Sequence, residues 1–457
     1  MGKLLVLDFV SATREDVQRC MPSVLEVARR GFMAELEPIL PAVTCPVQAS
    51  MLTGVPPRDH GIVGNGWYFR DLAEVWLWRQ SNALVQAPKV WDRVRAKGRD
   101  LKVAKLFWWY NMYSTATWSV TPRPHYTCDG RKFPGIYTQP PSLEKELEST
   151  LGTFPLFRFW GPEAGLESTR WIVECSLHVL GRFQPDLLLV YLPHADYDLQ
   201  RFGPGSPQAR EALSALDREA GRLIEAAFDR KYEVLIVTEY AMSKVSGAVP
   251  INRVLREAGL LAVRESLGWE LLDFGASRAF AVADHQVAHV YVREKRDLDI
   301  VAEFLSSIEG IERVLGEEGK REAGLDHPRS GELVALSAPD RWFCYYWWLD
   351  PSRAPDFART VDIHRKPGYD PLELFYDGSM RFPRFRVAAK ALLNKLRFRV
   401  LFNVIGFETQ RIKGSHGVIP SAGPLPVVAG SFPVEPRPRY GACRIASLIE
   451  SALETGP

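Results

Sequence analysis

The sequence predicts an α/β fold, a mostly parallel sheet with helices on both faces. Three observations carry that expectation. Apolar runs at 4–9, 186–191 and 232–238 lack the alternation of a half-exposed strand and read as strands buried on both sides. Between them lie segments of helical periodicity, most strongly 207–228. Each run also delivers an acid at or just beyond its end: Asp8, Asp196 and Glu239. In an open parallel sheet those ends are where ligands bind, and three acids at one edge suit a cation.

In chain order, Thr13 is placed to cap a helix over 14–30 that Gly31 stops, and 32–36 reads as a second strand. Residues 90–97 look helical and 101–107 extended. The stretch 120–165 is rich in Pro, Gly and aromatics and reads as long loops with one short helix near 143–148. A helix over 168–180 precedes the second apolar run. From 251 the texture changes to short strands (279–283, 288–293, 332–336) and a helix near 298–307. The expected division is a core over 1–250 and 356–430, a smaller inserted mixed-sheet subdomain over 251–355, and a tail over 431–457 packing on the core.

Composition narrows the function classes. The chain of 457 residues carries 57 Lys and Arg against 55 Asp and Glu, a net charge of +2, which gives no argument for nucleic acid as a partner. Its 6 cysteines are scattered with no CxxC, which argues against a cysteine zinc site and suits a reducing compartment. The apolar start is too short for a signal peptide and no run reaches membrane-spanning length, so the expected location is cytoplasmic. The segment 384–402 sets Arg384, Arg386, Lys390, Lys395, Arg397 and Arg399 among apolar residues. It is expected to pack on its domain with a solvated basic face, contact with a membrane surface being the second reading.

The chemistry centres on 41–65. Thr44 stands at the start of a short helix with Pro46 in its first turn. Read locally, it is an N-cap. A hydroxyl there is also placed to attack phosphorus, because a helix start carries free N–H donors and partial positive charge. Thr53-Gly54, His60-Gly61-Ile62 and Asn65 follow. In that order and spacing the segment resembles the nucleophile region of the type I phosphodiesterase/nucleotide pyrophosphatase family of the alkaline phosphatase superfamily.

The resemblance implies an alkaline-phosphatase-like three-layer sandwich and a metal-dependent hydrolase of a phosphodiester, pyrophosphate or phosphonate bond in a small phosphorylated substrate. It implies one or two divalent ions, Zn²⁺ first, with Mn²⁺ or Mg²⁺ as alternatives. Carried over by position, Thr44 is the nucleophile and a metal ligand, Asn65 contacts the oxyanion, and Asp8, Asp196 and His416 are metal ligands. The chain departs from the pattern in two places. Gln200 stands where the family has His, and Glu239-Tyr240 replaces an Asp-His pair. Glu239 is kept in the metal set and His364 is the expected replacement imidazole, with His194 a weaker candidate. Gln200, Tyr240, Arg365 and Lys366 are expected to face substrate, the last two as a guanidinium fork and a point charge for phosphate. Asp284-His285 and Asp326-His327 rank as structural or substrate-facing. The alternatives are a degenerate member that binds a phosphorylated ligand without turnover, and a phosphoryl-transfer enzyme of a biosynthetic pathway.

Overall fold

A computed structural model describes residues 2–419 and 423–455. Its centre is a nine-stranded sheet. Lys3–Phe9 lies in the middle, parallel to Leu187–Leu192 on one side and to Tyr232–Thr238 on the other, with Asp8 level with Tyr191 and Val237. Beyond Leu187–Leu192 come Val103–Leu106, Trp118–Pro122 and Ile136–Gln139. Beyond Tyr232–Thr238 come Val427–Gly430, Phe32–Glu37 and Arg439–Gly441. Val427–Gly430 and Ile136–Gln139 run antiparallel to their neighbours. The central strands are buried almost throughout, as their unbroken apolar runs require.

Helices cover the sheet in two groups. Arg14–Cys20, Pro22–Arg30, Leu166–Phe183 and Pro207–Asp229 pack on one another, while Thr44–Thr53, Val90–Ala96 and Ile445–Thr455 form the other group. Both feed one apolar core with the strands, giving three layers. Thr13 caps its helix reciprocally with Asp16, as expected. That helix is not continuous, however. It stops at Cys20 and restarts at Pro22, whose missing N–H and ring suit only a first turn.

The stretch 120–165 is also more ordered than expected, since Trp118–Pro122 and Ile136–Gln139 complete one edge of the sheet. Its Pro and Gly mark the turns between short elements. A separate antiparallel sheet of Ala279–Asp284, Val287–Val292, Leu333–Ser337 and Ile311–Leu315 stands on its own apolar cluster. The helix Pro383–Lys395 departs most from expectation. None of its residues is buried, so it does not pack into the domain as a surface helix would. No helix among the described residues is long and apolar enough to cross a membrane.

Asn252 ties the smaller sheet to the aromatic segment at 345. Its Nδ2 donates to Ala281 O (2.8 Å) and Tyr345 O (3.0 Å), and its Oδ1 accepts from Ala281 N (2.7 Å). Asn252→Ala strands these buried backbone groups and is expected to cost about 3 kcal/mol. A urea titration checks this, and a midpoint unchanged from the parent chain would refute it.

Candidate active site

The site forms where the strand Lys3–Phe9 ends and the helix Thr44–Thr53 begins. The cap of that helix is Val43, and Thr44 is its first helical residue. The Thr44 hydroxyl is therefore not spent on the backbone. It donates to Glu239 Oε2 at 2.9 Å and lies 3.3 Å from the Tyr240 hydroxyl. One turn on, Gln48 presents to the same face. Its Nε2 donates to Asp8 Oδ2 (2.9 Å) and to Glu239 Oε1 (2.8 Å), and its Oε1 accepts from Trp109 N (2.8 Å). Lys105 fixes that backbone from the other side, its Nζ donating to Trp109 O (2.6 Å) and Tyr110 O (3.1 Å).

Asp8 and Glu239 are fully buried neighbours. Burial and then the neighbouring Glu239 hold the Asp8 carboxyl well above the ordinary range, and burial raises Glu239 too. Two adjacent carboxyls cannot both ionise there, so the pair shares a proton. Glu239 receives hydrogen bonds from Thr44 and Gln48, and Asp8 receives one from Gln48. Both Glu239 oxygens are thus engaged, Oε2 by Thr44 and Oε1 by Gln48. The Tyr240 phenol is held protonated by burial, with the nearby carboxylates adding to the shift.

A second cluster adjoins the first. Gln200 Nε2 donates to Asp196 Oδ2 (2.8 Å), and Tyr369 donates its hydroxyl to Gln200 Oε1 (2.9 Å). Burial pushes Asp196 up to about 7. The His416 ring stacks flat on Tyr240 with centroids 3.5 Å apart. Its Nδ1 faces Ala42 O at 2.8 Å, and a carbonyl can only accept, so the proton is on Nδ1 and Nε2 keeps its lone pair. Burial lowers its pKa to about 3, so the imidazole is neutral. Asn65 Oδ1 accepts from Cys45 N (2.9 Å), while its N and Nδ2 donate to Asp284 (2.8 and 3.0 Å).

The hairpin tip after Asp284 reaches into this cluster. His285 takes a left-handed φ of 59°, a strained choice for a non-glycine residue. Its ring lies between Tyr369 (3.8 Å) and His416 (3.7 Å). Gln286 N donates to His416 O at 2.9 Å. Gly417 has a φ of 130°, and a Cβ there would come within 3.0 Å of Gln286 N, which explains a glycine after His416.

Sequence reasoning thus named Asp8, Thr44, Asn65, Asp196, Gln200, Glu239, Tyr240 and His416, and the structure gathers them in adjoining buried clusters. Other expectations fail. His364 is bonded to Leu77 O, with Lys132, Arg79 and Asp362 around it, and joins no site carboxylate. Lys366 is buried and spent on Asp370 and Glu373, both at 2.8 Å, because a buried ammonium needs paired acids. Arg365 is exposed and pairs with Asp362 at 3.4 Å. Burial lowers His194 to about 4, and the charged groups that act on it are Asp198, Arg201, Arg170 and Glu219. Gln48, Lys105 and His285 were missed or ranked low. A polar residue four positions after Thr44 and a lysine inside an apolar strand were the available signals.

The paired-metal centre implied by the resemblance is incomplete here, because Gln200 and Tyr240 stand where it has imidazoles. Asp8 Oδ1, Asp196 Oδ1 and His416 Nε2 are buried without partners. Even so, no three His, Cys, Asp or Glu among the described residues converge as a metal set. The Gln48 amide hydrogens already join Asp8 to Glu239, and the flat Tyr240 ring lies against His416. The site is also closed: Thr44 is 4 % exposed. Two surface cavities, about 580 and 430 Å³, are lined by other residues.

The profile of the type I phosphodiesterase / nucleotide pyrophosphatase family matches residues 4–370. An uncharacterized pyrophosphatase/phosphodiesterase of Schizosaccharomyces pombe is 25 % identical over 269 residues, 55 % of this chain and 47 % of the relative. The chain thus spans about half the length of that curated relative. Phosphonoacetate hydrolase from Sinorhizobium meliloti in complex with phosphonoformate superposes with a TM-score of 0.63 at 14 % identity, covering 99 % of this chain and 96 % of that one. Murine ectonucleotide pyrophosphatase / phosphodiesterase 5 gives 0.59 at 13 %, covering 100 % and 96 %. An inactive threonine-to-alanine form of the murine protein, in complex with AMP, gives 0.58 at 13 % with the same coverage.

Asp196 provides a test of the burial argument. Its folded-state pKa of about 7 lies above the ordinary aspartate value of 3.8. The stabilising contribution is therefore full below about pH 4 and is lost as pH rises through about 7. Asp196→Asn removes that loss. Its stability relative to the parent chain is expected to improve by about 3 kcal/mol between pH 5 and pH 8. Denaturant curves at the two pH values measure this, and an unchanged difference would contradict it.

Proposed function

Because the chain belongs to the type I phosphodiesterase / nucleotide pyrophosphatase family, a family of hydrolases, we propose that it hydrolyses a phosphodiester, pyrophosphate or phosphonate bond of a small phosphorylated substrate with Thr44 as nucleophile. The observation that carries this reading is the 2.9 Å hydrogen bond from the Thr44 hydroxyl to Glu239. It is a nucleophile–base pair at the start of a ten-residue helix. The inactive threonine-to-alanine form of the murine neighbour, which holds AMP, supports the same role for a threonine.

In this reading Glu239 takes the Thr44 proton as Oγ attacks phosphorus, and the bond to the leaving group breaks in line. The protonated Tyr240 phenol, 3.3 Å from Oγ, supplies a donor beside the developing charge. Asn65 Nδ2 carries a second hydrogen besides the one given to Asp284 and serves the same end. Glu239 passes the Thr44 proton to the departing group, takes another from the water that displaces Oγ from the phosphoryl-threonine, and hands it to Oγ. No step draws on a metal. Arg365 and Lys366 take no part.

A second reading, ligand binding without turnover, is favoured by Gln200 and Tyr240 in place of imidazoles. Release of p-nitrophenol from bis-p-nitrophenyl phosphate and from a p-nitrophenyl phosphonate decides between them. Turnover that Thr44→Ala lowers at least about 10³-fold and Glu239→Gln about 10²-fold or more supports the hydrolase. No release by the parent chain, with AMP still raising its Tm, supports the binder. Glu239 must be ionised to act and burial raises its pKa. The rate is therefore expected to fall as pH is lowered, with a midpoint above the ordinary carboxylate range. Turnover is expected to survive dialysis against EDTA. Complete dependence on added Zn²⁺ or Mn²⁺ would mean that a cation displaces the Gln48 amide, against this mechanism.

A further inference from the structure

The helix Pro383–Lys395 is amphipathic, and its apolar side faces outward. Phe385, Leu392 and Leu396, at spacings of seven and four residues, fall on one face with Ala388 and Ala389 between them. Those three large residues are 76, 59 and 61 % exposed. The half-buried positions are instead Val387, Lys390 and Asn394, on the opposite face. The helix therefore turns its more polar side toward the protein and its greasy side to water. Phe398 and Leu401, just beyond it, are 60 and 50 % exposed.

The arrangement is anchored rather than loose. Arg384 pairs with Glu163 at 2.9 Å, and Lys390 donates to Leu401 O at 2.7 Å and to Asn403. The flanks are basic. Between Asp377 and Glu408 there is no acidic residue, and Arg386, Lys395, Arg397 and Arg399 have no carboxylate partner among the described residues. Apolar side chains bordered by uncompensated Arg and Lys suit an interfacial helix, which buries its apolar face at the headgroup boundary while its cations meet anionic lipid. A second copy would bring like charges together, and nucleic acid would leave the Phe and Leu face uncovered.

We propose that residues 382–401 dock this protein onto an anionic lipid bilayer surface, with Phe385, Leu392 and Leu396 inserted and Arg386, Lys395, Arg397 and Arg399 at the headgroups.

The test is co-sedimentation of the full chain with vesicles of phosphatidylcholine alone or with added phosphatidylglycerol. The expected result is pelleting with the anionic vesicles and not with the neutral ones. Phe385→Ser with Leu392→Ser, and separately Arg386→Glu with Arg397→Glu, should each weaken partitioning by about tenfold or more. All four positions are solvent-exposed, and an unchanged Tm verifies the fold of each variant. Failure to pellet, or pelleting unaffected by either pair, overturns the proposal. A dimer that Phe385→Ser with Leu392→Ser dissolves, or an RNA oligonucleotide bound in preference to the vesicles, overturns it in favour of those partners.

Discussion

Two carboxyls buried side by side need either a cation or hydrogen-bond donors between them, and this protein uses the side-chain amide of Gln48. Much else follows from that choice. An amide supplies two N–H groups at fixed geometry but no net charge, so Asp8 and Glu239 retain a proton between them. Glu239 Oε2, held at the edge of that pair, is the acceptor of the Thr44 hydroxyl. Gln48 is held in turn by Trp109 N, and the carbonyls of Trp109 and Tyr110 are held by the buried ammonium of Lys105. The Thr44 hydroxyl is thus positioned by a chain of buried polar contacts running through three segments far apart in sequence.

Aromatic surfaces fill the other half of the site. Tyr240, His416, His285 and Tyr369 lie ring on ring, and they come from the core, the C-terminal part, the hairpin tip and the loop before Pro371–Leu374. The stack explains why His416 keeps a neutral ring, since desolvation opposes its charge and Ala42 O accepts its single proton. The small antiparallel sheet is also part of the site, because Asp284 at the tip accepts from Asn65 N and Nδ2.

Much of this was legible in the sequence. Unbroken apolar runs ending near Asp8, Asp196 and Glu239 located the central strands and their shared edge, since burial on both faces leaves little ambiguity. The Thr44 to Asn65 spacing located the family. What stayed hidden depended on partners distant in sequence. Lys366 reads as a phosphate-binding cation until Asp370 and Glu373 are seen to enclose it. His364 reads as a ligand until its ring is seen to face Leu77 O. Gln48 reads as a helix-body residue, because nothing local says that two strand-end acids meet there. The helix at 383–395 has the right pattern for a surface helix, and only the fold reveals that the pattern is inverted.

The order of strands in the main sheet has a further consequence. Lys3–Phe9 finds its partners only at Leu187–Leu192 and Tyr232–Thr238, and Phe32–Glu37 waits for Val427–Gly430 and Arg439–Gly441. Loop closures of this length must be made before the contacts that reward them, so assembly is governed by non-local pairing and is slow. A chain emerging from the ribosome carries exposed hydrophobic edges until Val427–Gly430 and Arg439–Gly441 have been made. Folding competence therefore does not reside in the residues before Leu187–Leu192, even though they include Thr44.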